Sequence, residues 1–442
     1  MMEVLPGFRD FYPEECTVRN FIFETWRNVA HTFGFEEFDG PILEPLELFT
    51  KKSGEEIVEQ LFSFEDKGGR AIALRPEMTP SLVRILGARL ATIKKPAKWF
   101  NITENFRYER PQKGRMRSFY QFNVDIVDES SISAEAELIA LAIESFKRFG
   151  LSRQHFYVRL SDRQLWTLWL QNFDLLDETT KTQMLALFDK WERRPHEEIE
   201  KDLKKILPSN IQAERFFAET EALRSAKTLQ TIRTIFSKNT QNDTLLAELD
   251  KQLEKFSLLF DELNALGCGD FVQLDLGIVR GLAYYTGFVF EIFETGNQGR
   301  ALAGGGRYDQ LFEKLIGQST PAVGFAVGDV TLTDLLQKNN LLPQPRSPLD
   351  CFVVFEANER AFALQCTQRL RANNYSVKYV LGETKSLSKQ LKKAYAENPR
   401  FVIICTSAEV AQRKIQVKCT NDSSIQLVDV ENLPHFIGTH SH

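Results

Sequence analysis

Residues 160–265 carry almost no strand signal, although strand-like runs lie on both sides of them. Charged residues alternate in this block with Leu, Phe and Ile at the spacing of helices. Because strands bury their apolar face only when they join a layered sheet, the flanking runs are expected to form one domain. The sequence therefore predicts a sheet domain in two separated parts, interrupted by a helical insertion.

Two strand-like runs before that block give the clearest sheet signal. They are "KWFNITENFRYER" and "SFYQFNVDIV", with the polar loop "PQKGRMR" between them. Such a pattern predicts a long antiparallel hairpin. Helices are predicted at 14–33 and 134–150, each ended by a glycine. "FEEFDGPILEPLELF" is interpreted as a strand, and its prolines, Pro41 and Pro45, place it at a sheet edge.

Strand patterns return after the insertion. "FVQLDLGIVRG", "YYTGFVFEIF" and "RALAGGG" predict strands, "RYDQLFEKLIG" a helix, and "TPAVGFAVGDVTLTDLLQK" a closing strand and helix. A proline-rich linker follows, and then strands and helices alternate as in a small α/β domain. The predicted divisions are the main domain, first part, at 1–159, the insertion at 160–268, the main domain, second part, at 269–338, the linker at 339–349 and the C-terminal domain at 350–442.

Composition narrows the class of protein. The net charge is −5, so any nucleic-acid binding has to come from local patches. The six cysteines are scattered and neither C-x-x-C nor H-E-x-x-H occurs, so we expect reduced thiols, no disulfide framework and no zinc site. The opening "MMEVLPGFRDFYPEE" lacks the pattern of a signal peptide, and no run approaches the ~20 apolar residues of a membrane span. A cytoplasmic protein is expected.

Two arginines stand in glycine-rich, otherwise apolar surroundings. Arg280 lies in "GIVRGLAYYTGFVFEIF" and Arg307 in "AGGGRYDQL". A buried arginine needs an anionic partner, so each indicates an anion. The glycines 304–306 would let a backbone approach a flat or anionic ligand, although such a run also fits a turn. A Walker A loop is excluded because Gly-Lys never occurs.

A basic cluster occupies the predicted hairpin loop. Arg107, Arg110, Lys113, Arg115 and Arg117 fall within eleven residues. A solvated hairpin tip is one interpretation. The other is a phosphate site, because the strand would aim an arginine fork that binds two phosphate oxygens at once.

The segment "RPEMTPSLVRI" offers a carboxylate and a hydroxyl between two prolines. Prolines fix the direction of the backbone, so Glu77 and Thr79 could be presented rigidly to an ammonium group. A loop leading into an N-capped helix is the alternative interpretation.

Together these segments resemble the histidyl-tRNA synthetase family of class II aminoacyl-tRNA synthetases. "FRYERPQKGRMRSFYQ" resembles motif 2 of the class, and "GIVRGLAYYTGFVFE" and "AGGGRYDQL" are similar to two segments peculiar to the family. "LPGFRDFYPEE", "LRPEMTPSLVR" and "TPAVGFAVGD" also match, in the family's order. The resemblance implies a mixed α/β chain: an α+β catalytic domain with an antiparallel sheet flanked by helices, a helical insertion, and a C-terminal α/β anticodon-binding domain. It also implies a homodimer.

The resemblance further implies an activity and roles for residues. Such enzymes join histidine to ATP as histidyl-adenylate, with magnesium on the outer phosphates, and then pass histidine to the 3′ end of its tRNA. Arg107 and Arg280 would flank the α-phosphate as the catalytic pair. The implied ATP-binding residues are Arg107, Glu109, Arg115, Arg280, Gly304, Gly305, Gly306 and Arg307. The implied histidine-binding residues are Glu77, Met78, Thr79, Gln121, Asp125, Tyr284 and Tyr285. The implied tRNA-binding residues are Gln112, Lys113, Lys385 and Lys389.

The C-terminal domain has a basic balance that suits RNA. Residues 350–442 contain 12 Lys and Arg and 9 Asp and Glu, and four of the lysines recur on one predicted helical face. Phosphate contact and a solvated surface are both open interpretations of that face.

Two positions depart from the family's pattern. Ala283 replaces a common aspartate, and Thr331 stands where motif 3 normally offers an arginine that packs on ATP and reaches its terminal phosphate. Arg115 or Arg307 could take its place. The departure leaves a rival open, a catalytically silent histidine sensor like the regulatory subunit of ATP phosphoribosyltransferase. Two features favour the enzyme, namely the paired phosphate arginines and the C-terminal domain.

Overall fold

The chain folds as two units, residues 1–342 and 343–442. The coordinates are a computed structural model. They describe residues 2–53, 55–110, 114–209, 211–240, 242–280, 285–296, 300–343, 349–382, 386–422 and 424–440. Of the predicted linker, residues 344–348 lie outside that description. No helix in the described ranges is long and apolar enough to cross a bilayer.

The first unit combines one large sheet, one small sheet and helices. Its helices are α1 Pro13–Thr32, α2 Leu46–Ser53, α3 Thr79–Gly87, α4 Ser133–Lys147, α5 Arg163–Gln171, α6 Glu178–Lys190, α7 His196–Ile206, α8 Ala213–Arg224, α9 Leu229–Asn239, α10 Asp243–Ala265, α11 Gln310–Ile316 and α12 Asp329–Lys338. Its strands are β1 Glu36–Glu37, β2 Leu43–Pro45, β3 Ser63–Glu65, β4 Ala71–Leu74, β5 Ala97–Phe106, β6 Ser118–Val127, β7 Phe156–Asp162, β8 Val272–Leu274, β9 Phe288–Glu294, β10 Ala303–Arg307 and β11 Ala322–Gly328.

The predicted hairpin is confirmed and forms part of the large sheet. β5 and β6 pair antiparallel over ten residues, from Ala97 opposite Val127 to Phe106 opposite Ser118. The described strands follow the order β1-β5-β6-β11-β10-β9-β7-β8, so strands after the insertion pair directly with strands before it. The sheet is therefore built from two stretches of chain, as the sequence predicts. β2, β4 and β3 form a separate small sheet.

Helices α1 and α4 cover one face of this sheet with apolar side chains. Trp26 of α1 is fully buried and stacks on Phe122 of β6, with ring centroids 5.5 Å apart. Phe146 of α4 is buried against Phe156 of β7. Each such buried ring contributes about 1.5–3 kcal/mol relative to an exposed one. Since this face is filled, the opposite face is left for a site.

Helices α5 to α10 form the interrupting block. Asp162, the last residue of β7, caps α5 by accepting a hydrogen bond from the Leu165 amide at 2.9 Å. Trp169 of α5 is buried and donates its indole N–H to Thr220 of α8 at 3.0 Å. Strand β7 extends to Asp162, so helix begins a few residues later than the sequence indicates. The limits 160–268 remain a prediction.

Two segments differ from the predicted strands. "LELF" begins helix α2, because Pro45 has no N–H for the sheet and ends the strand. Strand β8 stops at Leu274, where the Asp275 side chain accepts a hydrogen bond from the Gly277 amide at 3.0 Å and turns the chain. Residues 275–280 consequently run beside the sheet rather than within it.

The second unit has a five-stranded sheet in the order β13-β12-β14-β15-β16. Its elements are β12 Cys351–Phe355, α13 Arg360–Ala372, β13 Val377–Tyr379, α14 Leu387–Ala396, β14 Phe401–Cys405, α15 Ser407–Val410, β15 Lys414–Cys419, β16 Ile425–Asp429 and α16 Leu433–Thr439. The three strands linked by α13 and α14 are parallel, and β15 and β16 are antiparallel. The predicted α/β pattern is confirmed, and helix α16 was not predicted.

Candidate active site

A cavity of about 1380 Å³ opens on the uncovered face of the large sheet. Its floor includes Gln121 of β6, Ala326 of β11, Gly304 of β10 and Glu291 of β9. Gly304 is opposite both Ala326 and Glu291 in the sheet register. Because the middle of the floor carries side chains no larger than alanine, the cavity is deep there.

Arg107 enters this cavity from the end of β5. Its Nε donates to the carbonyl of Pro76 at 3.1 Å, and its guanidinium lies 5.3 Å from the centroid of the Phe119 ring. Its own amide donates to Arg117 across the hairpin at 2.9 Å. Within the described ranges Arg107 forms no ion pair, so its charge is directed at the cavity.

Arg280 enters from the opposite side, on the segment after β8. Its guanidinium lies 5.4 Å from the centroid of the Tyr285 ring, and its Nε lies 3.6 Å from a carboxylate oxygen of Glu291. The Arg280 carbonyl accepts a hydrogen bond from Arg163 of α5 at 3.1 Å. Arg107 and Arg280 therefore come from distant parts of the sequence and line one cavity.

The three glycines of β10 have different functions. A Cβ on Gly304 would overlap the guanidinium of Arg280, so this glycine makes room for that side chain. A Cβ on Gly305 would overlap the Gly324 carbonyl, and one on Gly306 would lie 2.6 Å from the Phe288 carbonyl. Of the three, Gly304 alone lines the cavity. The expectation that Gly305 and Gly306 approach ATP is corrected, because their lack of side chains serves close packing within the sheet.

Arg307 meets an anion inside the protein. Its Nε and Nη2 donate to the Glu135 carboxylate at 2.5 and 2.6 Å, and both side chains are buried. Its Nη1 lies 3.0 Å from the carbonyl of Glu129. The prediction that Arg307 needs an anion was sound, but its assignment to ATP is wrong, since the guanidinium does not line the cavity and is held by Glu135.

Glu77 and Gln121 lie on the cavity wall. Glu77 precedes α3, and Gln121 accepts a hydrogen bond from Asn105 at 3.0 Å. Met78 is buried and Thr79 half-buried at the start of α3, and neither lines the cavity. Of the four, Glu77 and Gln121 are thus the groups that a ligand can reach directly.

Asp125 of β6 projects to the same face of the sheet as Gln121, four residues earlier, and it is buried. The hydroxyl of Tyr308 donates to its carboxyl at 2.5 Å, and Gly324 leaves room for that carboxyl. Burial raises the pKa of Asp125 to about 7. Tyr285 is also buried and is not part of the wall. The result is a buried acid that is readily protonated near neutral pH, with the phenol of Tyr308 as its hydrogen-bond donor.

Two residues near the site were missed by the sequence interpretation. Tyr308 is the hydrogen-bond partner of Asp125, and Arg300 lines the cavity together with Arg107, Arg115 and Arg280. The paired "RY" of "GGGRYDQL" could have pointed to Tyr308. Arg300 stands alone in a polar segment and carries no such signal.

The remaining predicted residues divide by location. Glu109 and Arg115 line the cavity and pair with each other at 3.0 Å. Lys389 is exposed on α14 of the second unit. Tyr284, Ala283, Gln112, Lys113 and Lys385 lie outside the described residues. Thr331 lines the cavity, on the first turn of α12.

The family model described as histidyl-tRNA synthetase matches residues 7–332, and the one described as anticodon binding domain matches residues 350–440. The histidine--tRNA ligase of Opitutus terrae is 43% identical over 94% of this chain and 93% of its own length.

Two solved structures have the same fold. A histidyl-tRNA synthetase from Nostoc superposes with a TM-score of 0.79 at 23% identity, covering 99% of both chains. A Bacillus halodurans protein, described as an ATP phosphoribosyltransferase regulatory subunit/histidyl-tRNA synthetase, gives a TM-score of 0.73 at 24% identity and covers 92% of this chain and 99% of its own. At these identities the likeness concerns the fold. The sequence match over 94% of the chain, the two family models and the arginine-lined cavity together make this chain a member of the histidyl-tRNA synthetase family.

Proposed function

We propose that the protein is a histidine–tRNA ligase, which activates L-histidine with ATP and then transfers it to the 3′ end of tRNA-His. The observation that carries this proposal is the meeting of Arg107 and Arg280 in one cavity. In the first step a carboxylate oxygen of histidine attacks the α-phosphorus, a new P–O bond forms and pyrophosphate leaves. Two anions must approach each other, so fixed positive charge is the main requirement.

The two arginines satisfy that requirement from opposite sides. Arg107 comes from the hairpin and Arg280 from the segment after β8, and both residues line the same cavity. A donor that already points to where charge develops needs no reorganisation during the reaction. No proton-transfer residue is required for this step, because the attacking carboxylate is already ionised.

We propose that the amino-acid end lies over Glu77 and Gln121. Glu77 supplies a carboxylate for the ammonium group of histidine, with Met78 and Thr79 fixing the start of α3 behind it. The imidazole has one donor and one acceptor, and Asp125, Tyr284 and Tyr285 are proposed to match them. Asp125 suits the recognition of imidazole because its pKa is raised to about 7, so its carboxyl group can either donate or accept a hydrogen bond near neutral pH.

Magnesium is proposed to arrive bound to the ATP phosphates. In the described ranges no three His, Cys, Asp or Glu side chains cluster as metal ligands. Single carboxylates, Glu109 and Glu291, do line the cavity and could complete a coordination shell that phosphate oxygens and water dominate. Magnesium titration of exchange at fixed ATP checks this, and activity in excess EDTA would contradict it.

We propose that tRNA is bound by both units. The loop with Gln112 and Lys113 would meet the acceptor end, and Lys389 with its neighbours on α14 would meet the anticodon arm. Lys389, Lys392 and Lys393 are all exposed on one face of α14. Salt-dependent binding of tRNA would support the α14 contact, and salt-independent binding would contradict it.

A homodimer in the cytoplasm completes the proposal. Ile42 and Leu43 expose 43% and 45% of their surface beside the short edge strand β2, an apolar area that a second subunit could cover. Sedimentation at micromolar concentration checks the dimer, and a monomer would contradict it.

All six cysteines are free, which fits a reducing compartment, and fractionation of cells would test that location.

Histidine-dependent exchange between ATP and pyrophosphate, without tRNA, tests the function. We expect exchange with L-histidine only, followed by charging of tRNA-His when tRNA is added. The rival, a silent sensor, would bind histidine without exchange. Such a result with folded protein would reject the ligase.

A further inference from the structure

Arg300 occupies a position that connects strand β10 with the hairpin loop. It lies three residues before the start of β10 and lines the cavity. Its Nη1 donates to the Gly114 carbonyl at 2.7 Å, so the side chain reaches across to the chain between β5 and β6. The strand that follows Arg300 is paired with β11, whose end leads directly into α12. Arg300 and the start of α12 therefore lie at the same end of the sheet.

Thr331 lies near the carbonyl group that Arg300 binds. A Cβ built on Gly114 would lie 3.5 Å from the Thr331 methyl group, so Gly114, whose carbonyl binds Arg300, is also close to Thr331. The start of α12 is held firmly, since Asp329 pairs with Arg9 at 2.8 Å and accepts from the Tyr120 amide at 2.9 Å. Thr331 is also the position at which the family's motif 3 places an arginine.

The charges around Arg300 are those of an anion site. Burial lowers the pKa of Arg300, and the positive charges of Arg115 and Arg107 lower it further, with Glu109 opposing them. Arg115 is paired with Glu109. In the part of the chain that the structure describes, Arg300 has no carboxylate within 4.0 Å and donates to a backbone carbonyl instead. A guanidinium without a carboxylate partner, in a cavity that other arginines also line, favours an anionic ligand.

We propose that Arg300 binds the outer phosphates of ATP, in place of the arginine that Thr331 has replaced. The inference rests on the proposed function, because it assigns one more contact in the same cavity. A triphosphate carries about four negative charges, and Arg107 and Arg280 address the α-phosphate. Arg307, the other candidate substitute, is held by Glu135, and Arg115 is paired with Glu109. Arg300 has the planar fork and the position for the remaining phosphates.

Binding of ATP and of AMP to the full-length protein tests the assignment. In Arg300→Gln we expect the Kd of ATP to rise about 10- to 100-fold, as for the loss of a charged hydrogen bond, and the Kd of AMP to change less than about twofold. Arg153→Gln is the matched control. Arg153 lines the same cavity but pairs with Asp270 at 3.0 Å, so both Kd values should stay unchanged.

A double substitution tests whether an arginine at position 331 can replace the one at position 300. In the double variant Arg300→Gln/Thr331→Arg, the arginine returns to its family position, and the affinity for ATP should recover to within about threefold of wild type. Arg300→Lys, which keeps a charge but not the fork, should lose affinity to an intermediate degree. Circular dichroism verifies that the variants are folded.

Several results would overturn the inference. Unchanged ATP affinity in Arg300→Gln would do so, as would equal losses for ATP and AMP, which would place the side chain on the nucleoside. A defect confined to tRNA charging would assign it to RNA. Binding of ATP does not depend on histidine activation. If the wild type showed no exchange, the proposed function would be rejected. The assignment of Arg300 to the outer phosphates would still hold if Arg300→Gln weakened the binding of ATP but not of AMP.

Discussion

Arg280 adopts an unusual backbone conformation for an arginine, with φ at 53° in the left-handed region. A non-glycine residue held there costs about 1–3 kcal/mol, so the surroundings must enforce it. Arg163 does so by donating to the Arg280 carbonyl, and the ring of Tyr285 lies under the guanidinium. The strained backbone is thus found at the residue whose guanidinium lies against Gly304 in the cavity.

Gly304 is predicted to act through Arg280. Gly304→Ala would place a methyl group where the guanidinium lies, so we expect the rate of exchange to fall about 10²-fold, close to the loss of a fixed charge donor. The double variant Gly304→Ala/Arg280→Ala should be no slower than Arg280→Ala alone. Additive losses in steady-state exchange would show that Gly304 has a separate function.

Asp125 is predicted to make stability depend on pH. Its pKa is about 7 in the folded chain and about 3.9 when unfolded, so the folded form binds the extra proton between these values. Its contribution to the free energy of unfolding therefore falls as pH rises from about 4 to about 7, and then levels off. Between about pH 4 and pH 7, the free energy of unfolding of Asp125→Asn should therefore rise relative to that of the wild type by about 1 kcal/mol or more.

Urea unfolding of both proteins over the same pH range measures this difference. Asp162, whose pKa is also raised to about 7 by burial, is present in both proteins and cancels in the comparison. A stability difference that does not change with pH would contradict the assignment.

The ion pair between Arg307 and Glu135 joins two elements, β10 and α4. It is the reason that β10 can end on an arginine inside the protein. The hydrogen bonds of Arg307 to the carbonyls of Glu129 and Ser131 extend the same link to the residues before α4. The pair fixes the strand that carries Gly304 without itself reaching the cavity.

Removal of Glu135 alone is predicted to lower the stability of the fold. Glu135→Ala leaves a buried guanidinium whose remaining carboxylate partner, Asp309 at 3.3 Å, is partly exposed, and should lower the free energy of unfolding by up to about 3–5 kcal/mol. The double variant Glu135→Leu/Arg307→Leu should recover most of that loss, because neither charge remains. Chemical denaturation checks both variants. A loss of less than about 1 kcal/mol in Glu135→Ala would contradict the prediction.

Local patterns predicted the elements better than the contacts between them. The hairpin and helices α1 and α4 followed from alternation, helical spacing and glycine. Arg307 could not be assigned, because its partner Glu135 is 172 residues away in sequence and meets it only after the sheet has formed. Arg300 was missed for the same reason, since Gly114 and Thr331 come from other elements. The "LELF" helix was missed because Pro45 ends the strand sooner than the apolar pattern suggests.

At the scale of the whole molecule, the proposed binding sites for the small substrates and for the anticodon arm of tRNA lie in different units. The first unit contains the cavity, and the second carries the exposed lysines of α14. Activation of histidine needs no tRNA, whereas transfer does. Substitutions in the second unit should therefore separate the two steps.

Charge reversal on α14 tests that separation. For Lys389→Glu/Lys392→Glu/Lys393→Glu we expect the KM for tRNA to rise about tenfold or more, because phosphate contacts become repulsive. Histidine-dependent exchange should stay within about twofold of wild type. Aminoacylation and exchange are measured on the same preparation. Equal losses in both assays would mean that α14 supports the fold or the cavity rather than tRNA.

The most direct measurement of the central claim is single-turnover formation of histidyl-adenylate by wild type and by Arg280→Ala. At saturating ATP and histidine, we expect the variant to be slower by about 10²–10³-fold, about 2.7–4 kcal/mol in the barrier, with its circular dichroism unchanged. A folded Arg280→Ala variant that forms adenylate at nearly the wild-type rate would contradict the assignment of that guanidinium to the reacting phosphate.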